Sequence, residues 1–187
     1  RQRQMCIRDR VHAVASIAAV GGKFKYLGGG AFWSNRIIFN WNKNIVEGND
    51  ALDSSTRILD MSRIGPILTY EDEIVRQGPP VTAMLIQNTN PAAVAPDTHR
   101  VLRGFRREDL FLCVHEQFMT ETAKMADIVL PATTFLEHDD LYQAAGQVHV
   151  QVHRAVIDAP GETRSNHWVL CQLAQRLGAS HEGFEMT

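Results

Sequence analysis

Cysteine is scarce in this sequence of 187 residues. The three cysteines, Cys6, Cys113 and Cys171, are odd in number, lie far apart and form no C-x-x-C pair. A disulfide framework is built from paired cysteines, and zinc or iron–sulfur sites from closely spaced ones. The sequence therefore predicts three reduced thiols and neither kind of site within this chain.

An excess of charge of one sign and long hydrophobic runs are also lacking. The 19 Lys and Arg residues are balanced by 21 Asp and Glu residues, and the formal net charge is −2. This balance provides no positive field for a nucleic acid or an anionic lipid surface. No stretch approaches the roughly 20 apolar residues of a membrane span. We expect no nucleic-acid partner and no membrane span.

Both ends of the sequence suggest a piece of a longer chain. Residues 1–10 are strongly basic and aperiodic, and the string from Met5 to Arg10 resembles translated adapter read-through. We expect residues 1–10 to be a non-native artefact. The chain stops at Thr187 without a closing element, so we expect a fragment truncated at both ends. No sequence pattern indicates the cellular compartment, and both the bacterial cytoplasm and the periplasm are compatible with the sequence.

Residues 11–80 are expected to form an irregular, loop-rich N-terminal part of the domain. Residues 11–20 are apolar almost all round and run into Gly21-Gly22, which predicts a buried helix with a glycine C-cap. The triplet Gly28-Gly29-Gly30 lacks the spacing of a dinucleotide-binding fingerprint and is interpreted as a flexible turn. A second turn is predicted at Gly65-Pro66.

Residues 81–180 have the pattern of a doubly wound α/β domain. Short apolar runs at 81–87, 110–114 and 127–130 are bounded by turn or polar residues, which favours buried parallel strands. Helices opening at Pro96-Asp97 and near residue 120 separate them. Two β-α-β steps in series predict a mostly parallel, Rossmann-like sheet.

Two more elements are predicted near the C-terminus. Residues 147–156 alternate, with valines on one face and polar residues on the other, as in a half-exposed strand. Thr163 or Ser165 is expected to cap a final helix that Gly178 ends. The apolar stripe of that helix has i, i+3, i+4, i+7 spacing and consists of Leu170, Leu173, Ala174 and Leu177.

Polar residues follow each of the three predicted parallel strands, at 88–90, 115–116 and 133–140. Ligands of doubly wound sheets bind beyond the carboxyl ends of the strands. Glu116 lies where such folds hold a ribose, because a carboxylate accepts two hydrogen bonds from a cis-diol. Asn90 offers an amide to phosphate or sugar. The alternative is that Glu116 is a solvated loop acid and that Asn90 forms an Asx turn.

The eight histidines also suggest a metal site. His149 and His153 share a strand face about 13 Å apart, too far for one zinc ion. His115, His138 and His167 occupy loop or cap positions near the candidate edge, where neutral imidazoles both donate and accept hydrogen bonds. We interpret these three as polar lining in preference to metal ligands. The sequence has no nucleophile elbow, Walker loop or H-E-x-x-H motif.

Several motifs resemble those of one enzyme family. They are Asn88-Thr89-Asn90-Pro91, Thr120-Glu121-Thr122-Ala123, residues 126–132 (ADIVLPA), Glu137, Ala159-Pro160-Gly161-Glu162 and Trp168. In order and spacing, residues 81–178 resemble the molybdopterin oxidoreductase family, which contains dimethyl sulfoxide reductases, formate dehydrogenases and periplasmic nitrate reductases. The run TETAKMADIVLPAT is the most specific part of this resemblance.

The resemblance implies a fragment of an enzyme with four domains around a molybdenum or tungsten ion held by two molybdopterin guanine dinucleotides. This chain is similar to most of the third domain, which binds the guanosine end of one dinucleotide, and residues 181–187 would begin the linker to a C-terminal domain. The molybdenum ligand and any 4Fe-4S cluster would lie upstream, and an electron-transfer subunit is a further implied partner. The intact enzyme would perform two-electron redox chemistry, such as oxygen-atom transfer, and the fragment alone would be inactive.

The family's cofactor-binding positions carry over onto named residues. Asn90 corresponds to a strand-end Asn that contacts the cofactor. His115 and Glu116 correspond to a Ser-Asp pair that binds ribose, and Glu116 keeps the carboxylate. His138 replaces a Lys or Arg near phosphate.

Two further assignments depart from the family or have a structural alternative. Asn166 replaces an Asp that would accept from guanine, and an amide has only one acceptor oxygen. Three neighbours are candidates to share that contact: Asp139, Asp140 and His167. Thr120 and Thr122 are either cofactor contacts or caps of the short helix that follows them.

The sequence also allows two other functions. One is a free-standing nucleotide-binding regulatory module without catalysis. Unlike a molybdopterin oxidoreductase, such a module would have no molybdenum ligand upstream and no β-barrel domain downstream. The other is a metal hydrolase using His115, His138 or His167, which would bind stoichiometric zinc.

Overall fold

The computed structural model describes residues 12–31, 39, 41–42, 44, 47–144 and 147–185. The chain divides into two compact units, one made of Arg1–Asn40 with Gln143–Gln151 and the other of Trp41–Tyr142 with Val152–Thr187. The expected artefact at residues 1–10 lies outside the described residues. No helix among the described residues is both long and apolar enough to cross a bilayer.

Helix α1 (residues 12–20) belongs to the first unit. Gly22 follows it with a φ of 62°, and the Gly21 and Gly22 amides bond the carbonyls of Ile17 and Ala19, so the predicted glycine cap is present. The predicted burial is wrong, because within α1 only Ala18 is buried and Val20 is 90% exposed. A unit this short has too little chain to surround a helix on all sides.

A three-stranded parallel sheet forms the centre of the second unit. Its strands are β1 (Ala83–Gln87), β2 (Phe111–Glu116) and β3 (Ile128–Pro131), in the order β1-β2-β3. The α/β fold with a parallel sheet is therefore confirmed. The first crossover contains helices α4 (Pro91–Val94) and α5 (Thr98–Phe105), whereas the second contains only the 3-10 helix Ala123–Met125.

Helices α2 (Ile64–Leu68) and α3 (Glu73–Arg76) precede the sheet. The turn predicted at Gly65-Pro66 is wrong, since both residues lie inside α2. Pro66 is tolerated there because the first turn of a helix does not use its backbone N–H groups. Gly65 instead allows a close crossing with α5, where a Cβ on Gly65 would lie 2.9 Å from the Cβ of Arg100.

The hydrophobic core lies between the sheet and the α2–α5 pair. Its least exposed apolar side chains come from α2, α5 and the central strand, namely Leu68, Val101, Leu112 and Val114. The central strand β2 is the most deeply buried of the three. Leu85 in β1 and Ile128 in β3 lie on the opposite face, in register with half-buried Cys113, and are exposed. The sheet is therefore buried mainly on the face that carries Ile86 and Val114.

Strands β4 (Asp140–Gln143) and β5 (Val150–His153) pair as a separate two-stranded sheet. The predicted strand at 147–156 is thus present over a shorter span. Its valine face is exposed, and the half-buried residue is His153, whose ring lies 5.7 Å from that of Tyr142 and 6.4 Å from that of Phe135. Packing of His153 against Tyr142 and Phe135 thus makes the polar face of β5 its less exposed face.

Helix α6 (Asn166–Leu177) is capped by Ser165, whose Oγ accepts from the Trp168 amide at 3.2 Å, and ends at Gly178 with a φ of 71°. Both termini agree with the prediction. The apolar stripe is only partly covered, because Ala174 is buried while Leu177 is exposed. The other short 3-10 helices among the described residues are Lys23–Lys25, Asn49–Ala51, Met61–Arg63 and Glu182–Phe184.

Candidate functional site

The carboxyl ends of the parallel strands form a continuous polar edge. In the register of the sheet Gln87 lies opposite His115, and Glu116 lies opposite Pro131. Past the end of β3, Ala132 forms a parallel bridge with Arg164, so the segment leading into α6 reaches the same edge. Residues that are far apart in sequence thus follow neighbouring strand ends, as the candidate site requires.

His115 is completely buried within this edge. Its Nε2 lies 3.1 Å from the carbonyl oxygen of Arg164, and its Nδ1 lies 3.3 Å from the side-chain Nε2 of Gln87. Both ring nitrogens therefore have partners inside the protein. The predicted direct contact of His115 with a ligand does not fit this placement, because the imidazole presents no exposed atom.

Glu116 is the next residue and is half-buried. Its Oε1 accepts from the Gln117 amide at 2.7 Å, and its backbone carbonyl accepts from the Ala132 amide at 3.0 Å. Gln117 in turn donates to the carbonyl of Thr133 at 2.9 Å. These bonds hold the carboxylate at the edge between β2 and β3, in position to accept from the hydroxyl groups of a ligand.

Asn90 connects the end of β1 to the segment before β3. Its Oδ1 accepts from the Thr122 hydroxyl at 2.7 Å and from the Thr122 amide at 3.2 Å, and its Nδ2 donates to Glu121 at 2.7 Å. The Thr122 hydroxyl also accepts from the buried amide of Ala92 at 3.0 Å. Asn90 is therefore the centre of a protein-internal network, and Thr122, which is fully buried, holds that network together.

Thr120 has a separate role in the same segment. Its hydroxyl accepts from the Ala123 amide at 3.2 Å, at the start of the 3-10 helix Ala123–Met125. This is the capping alternative, in which Thr120 stabilises the short helix. Of the two threonines, one is a cap and the other is a buried connector between loops.

Glu121 reports on the Asn90 network through its pKa. The hydrogen bond from Asn90 is the largest cause that lowers the pKa of the Glu121 carboxyl, and the charge of Lys124 contributes less.

We expect Asn90→Ala to raise the pKa of the Glu121 carboxyl toward the ordinary glutamate range, and Lys124→Met to raise it less. The stabilisation is present above the unfolded-state pKa and is lost as the pH falls through the lowered value. A carboxyl-carbon NMR titration measures it, and an unchanged Glu121 pKa in Asn90→Ala would contradict the network.

His138 lies beyond the end of β3. Its Nδ1 is 2.9 Å from the Thr133 hydroxyl, and its Nε2 is 3.8 Å from an Asp140 carboxylate oxygen. The neighbouring Asp139 accepts from the Ala155 amide and from Arg154, and these bonds lower its pKa. Asp139 is therefore engaged with the protein, whereas His138 and Asp140 lie together at the edge.

Asn166 is the first residue of α6 and is exposed. It follows Arg164 and Ser165 directly, so it lies where the added segment leaves the sheet edge. His167 faces the other way, with its Nε2 3.1 Å from the carbonyl of Gly183 and 3.4 Å from Cys171 Sγ. Asn166 therefore follows the edge segment along the chain, whereas the His167 ring has a structural partner.

Two participants were not identified from the sequence. The carbonyl of Arg164 accepts from both His115 and the Thr133 amide, and Gln87 supplies the second partner of His115. Gln87 ends β1 on the candidate edge, which is the signal that could have found it. No sequence signal identifies a backbone carbonyl. Among the described residues no three His, Cys, Asp or Glu side chains are grouped to hold a metal ion, so the hydrolase alternative gains no support.

One protein family matches most of this chain. The family model described as molybdopterin oxidoreductase matches residues 18–176. A probable oxidoreductase, YoaE of Bacillus subtilis, is 39% identical over 90% of this chain, and the F420-dependent formate dehydrogenase subunit alpha of Methanocaldococcus jannaschii is 34% identical over 59% of it. Acetylene hydratase from Pelobacter acetylenicus has the same fold over 64% of this chain, with a TM-score of 0.52 at 24% identity.

The matched region is a small part of each relative. This chain spans 24% of the length of the Bacillus subtilis oxidoreductase, 16% of the formate dehydrogenase subunit and 16% of the acetylene hydratase chain.

Proposed function

This chain belongs to the molybdopterin oxidoreductase family, and from that premise we propose that it binds the guanosine end of a molybdopterin guanine dinucleotide. The proposed core is residues 81–180, with residues 11–80 as its irregular N-terminal part and 181–187 as the start of a linker. The whole protein would be a molybdenum or tungsten oxidoreductase, and the bound cofactor would supply its two-electron chemistry. The observation that carries the proposal is the shared polar edge at the carboxyl ends of β1, β2, β3 and the Arg164 segment.

The side chains at this edge fit a nucleotide. Glu116 offers a carboxylate for a ribose cis-diol, and His138 offers an imidazole for a phosphate oxygen. Asn166 offers one acceptor oxygen to a guanine, and Asp140, which lies 3.8 Å from His138 Nε2, is proposed as a second acceptor. Helix α6 begins at Asn166, and the backbone N–H groups of a helix N-terminus favour an anionic group.

The proposed roles of the remaining residues are indirect. His115 and Thr122 are fully buried, and Thr120 caps a short helix, so we assign these three to shaping the site. Asn90 is half-buried and bonded to Glu121 and Thr122, and its proposed cofactor contact is through the remaining hydrogen-bonding capacity of its amide. Direct contact is thus proposed for Asn90, Glu116, His138 and Asn166.

The proposal predicts that the chain distinguishes ribose from deoxyribose through Glu116. We expect it to bind GMP about tenfold or more tightly than 2′-deoxy-GMP, because a hydrogen bond to a charged group contributes about 1.5–3 kcal/mol. In Glu116→Gln, which has one acceptor oxygen in place of two, this preference should largely disappear. Isothermal titration calorimetry of both nucleotides against both proteins measures it.

Glu108→Gln is the matched control for this experiment. Glu108 is exposed and precedes β2, at the amino end of the sheet. The substitution therefore removes one negative charge at the edge of the sheet opposite the proposed site. It should leave both affinities unchanged. If the wild-type chain does not bind GMP, or if Glu116→Gln keeps the preference for ribose, the proposed nucleotide site is wrong.

The coding sequence on either side of this chain would distinguish an oxidoreductase from a free-standing regulatory module. An upstream molybdenum ligand, with or without a 4Fe-4S cysteine cluster, and a downstream domain would support the oxidoreductase. Electron-transfer subunits and the other domains of the same protein are the proposed partners. Their absence from the gene would favour the regulatory module, which would bind GMP equally well.

A further inference from the structure

We propose that His115 is a positioning residue that fixes the separation between Glu116 and the start of α6. It would do so as a neutral imidazole that carries its proton on Nε2 and donates it to the Arg164 carbonyl. The inference rests on the proposed function, because those two elements form opposite sides of the proposed nucleotide site. His115 itself touches no ligand.

The partners of His115 determine its protonated nitrogen. Nε2 lies 3.1 Å from the Arg164 carbonyl oxygen, and a carbonyl can only accept. Nε2 therefore carries the hydrogen. Nδ1 lies 3.3 Å from the amide Nε2 of Gln87, which can only donate, so Nδ1 is an acceptor and carries no hydrogen. Both contacts are satisfied by one tautomer, and the ring is completely buried, so water does not compete for either bond.

The hydrogen bond from His115 to Arg164 lies where the extension of β3 leads into α6. The Arg164 carbonyl also accepts from the Thr133 amide at 3.2 Å, and the Arg164 amide donates to Pro131 at 3.1 Å. These two backbone bonds attach the segment to the extension of β3. The bond from His115 is different in kind, because it comes from a side chain of the central strand β2. It thereby ties the peptide that precedes Ser165, the N-cap of α6, directly to the neighbour of Glu116.

Two substitutions by amide residues distinguish the contributions of the two ring nitrogens of His115. In His115→Gln the amide can occupy the Nε2 position and donate to Arg164, whereas in His115→Asn it reaches only the Nδ1 position. Each variant loses one buried hydrogen bond, so a general structural role predicts similar losses of stability and similar GMP binding. The positioning role predicts that His115→Gln binds GMP within about twofold of wild type and that His115→Asn binds it about tenfold more weakly.

Amide hydrogen exchange at residues 163–169 gives the second readout. Exchange there should accelerate in His115→Asn and stay near the wild-type rate in His115→Gln, since only the former releases the Arg164 carbonyl. Equal GMP affinities or equal exchange in the two variants would overturn the inference. Absence of GMP binding to the wild-type chain would instead refute the proposed function, so the two failures are distinct.

The tautomer can be tested without any substitution. Long-range proton–nitrogen correlation NMR of the wild-type chain distinguishes the two neutral forms of histidine. We expect His115 to have hydrogen on Nε2. Hydrogen on Nδ1 would mean that no bond is donated to Arg164 and would overturn the inference even if neither variant folds.

Discussion

Replacement of Gly104 by alanine is expected to destabilise the second unit by about 2 kcal/mol, against the usual preference of helices for alanine. A Cβ on Gly104 would overlap the Cβ of Leu68 and lie 3.1 Å from its Cδ1, where ordinary carbon contacts are about 3.5–4.0 Å. Leu68 is completely buried and has no room to withdraw. Overpacking of this kind costs about 1–3 kcal/mol or more, which exceeds the gain of about 1 kcal/mol from helix propensity.

Urea unfolding followed by circular dichroism measures this effect. His99→Ala, at an exposed position of the same helix α5, is the control and should change the free energy of unfolding by less than about 0.5 kcal/mol. A Gly104→Ala chain as stable as wild type would show that α2 and α5 do not pack closely at this position.

Replacement of Thr122 by valine is expected to destabilise the chain by about 2 kcal/mol, although the two side chains have nearly the same shape. The hydroxyl accepts from the Ala92 amide and donates to Asn90 Oδ1, and valine can do neither. Ala92 lies in the first turn of α4, whose N–H groups have no partner within the helix. A buried donor left unsatisfied costs about 1–3 kcal/mol.

Thr122→Ser separates the hydroxyl from the methyl group. Serine keeps both hydrogen bonds and loses only a buried methyl, so its cost should be about 1 kcal/mol and smaller than that of valine. Hydrogen exchange of the Ala92 amide should accelerate in the valine variant and not in the serine variant. A valine variant with protected Ala92 and unchanged stability would contradict the network centred on Asn90.

The parallel sheet and its edge could be predicted from local patterns. Three short apolar runs separated by turn residues and helix signals predict a parallel arrangement, because a connection between parallel strands has to cross back to the same end of the sheet and usually contains a helix. The polar residues after each run then share one edge for topological reasons alone. The caps at Gly22, Ser165 and Gly178 were predictable for a similar reason, since a cap depends on residues within one turn.

Exposure could not be predicted in the same way. The apolar residues of α1, the valines of β5 and Leu177 of α6 have patterns typical of buried faces, yet they are exposed. Burial needs a neighbouring element of matching shape, and periodicity describes only one of the two surfaces. The Gly65-Pro66 turn was wrong for a related reason, because that glycine serves a contact between helices and not a change of chain direction.

The sequence by itself determined the family, the α/β fold and which strand end each candidate residue follows. The tertiary structure decided how each side chain is placed. His115 and Thr122 are fully buried, Thr120 accepts from the first amide of a 3-10 helix, and Glu116 and His138 are half-buried at the strand ends. The physical reason is that spacing along the chain fixes which strand end a residue follows, but not the direction or partners of its side chain. The partner that orients His115 is a backbone carbonyl contributed by Arg164, and any residue type at that position would carry the same group.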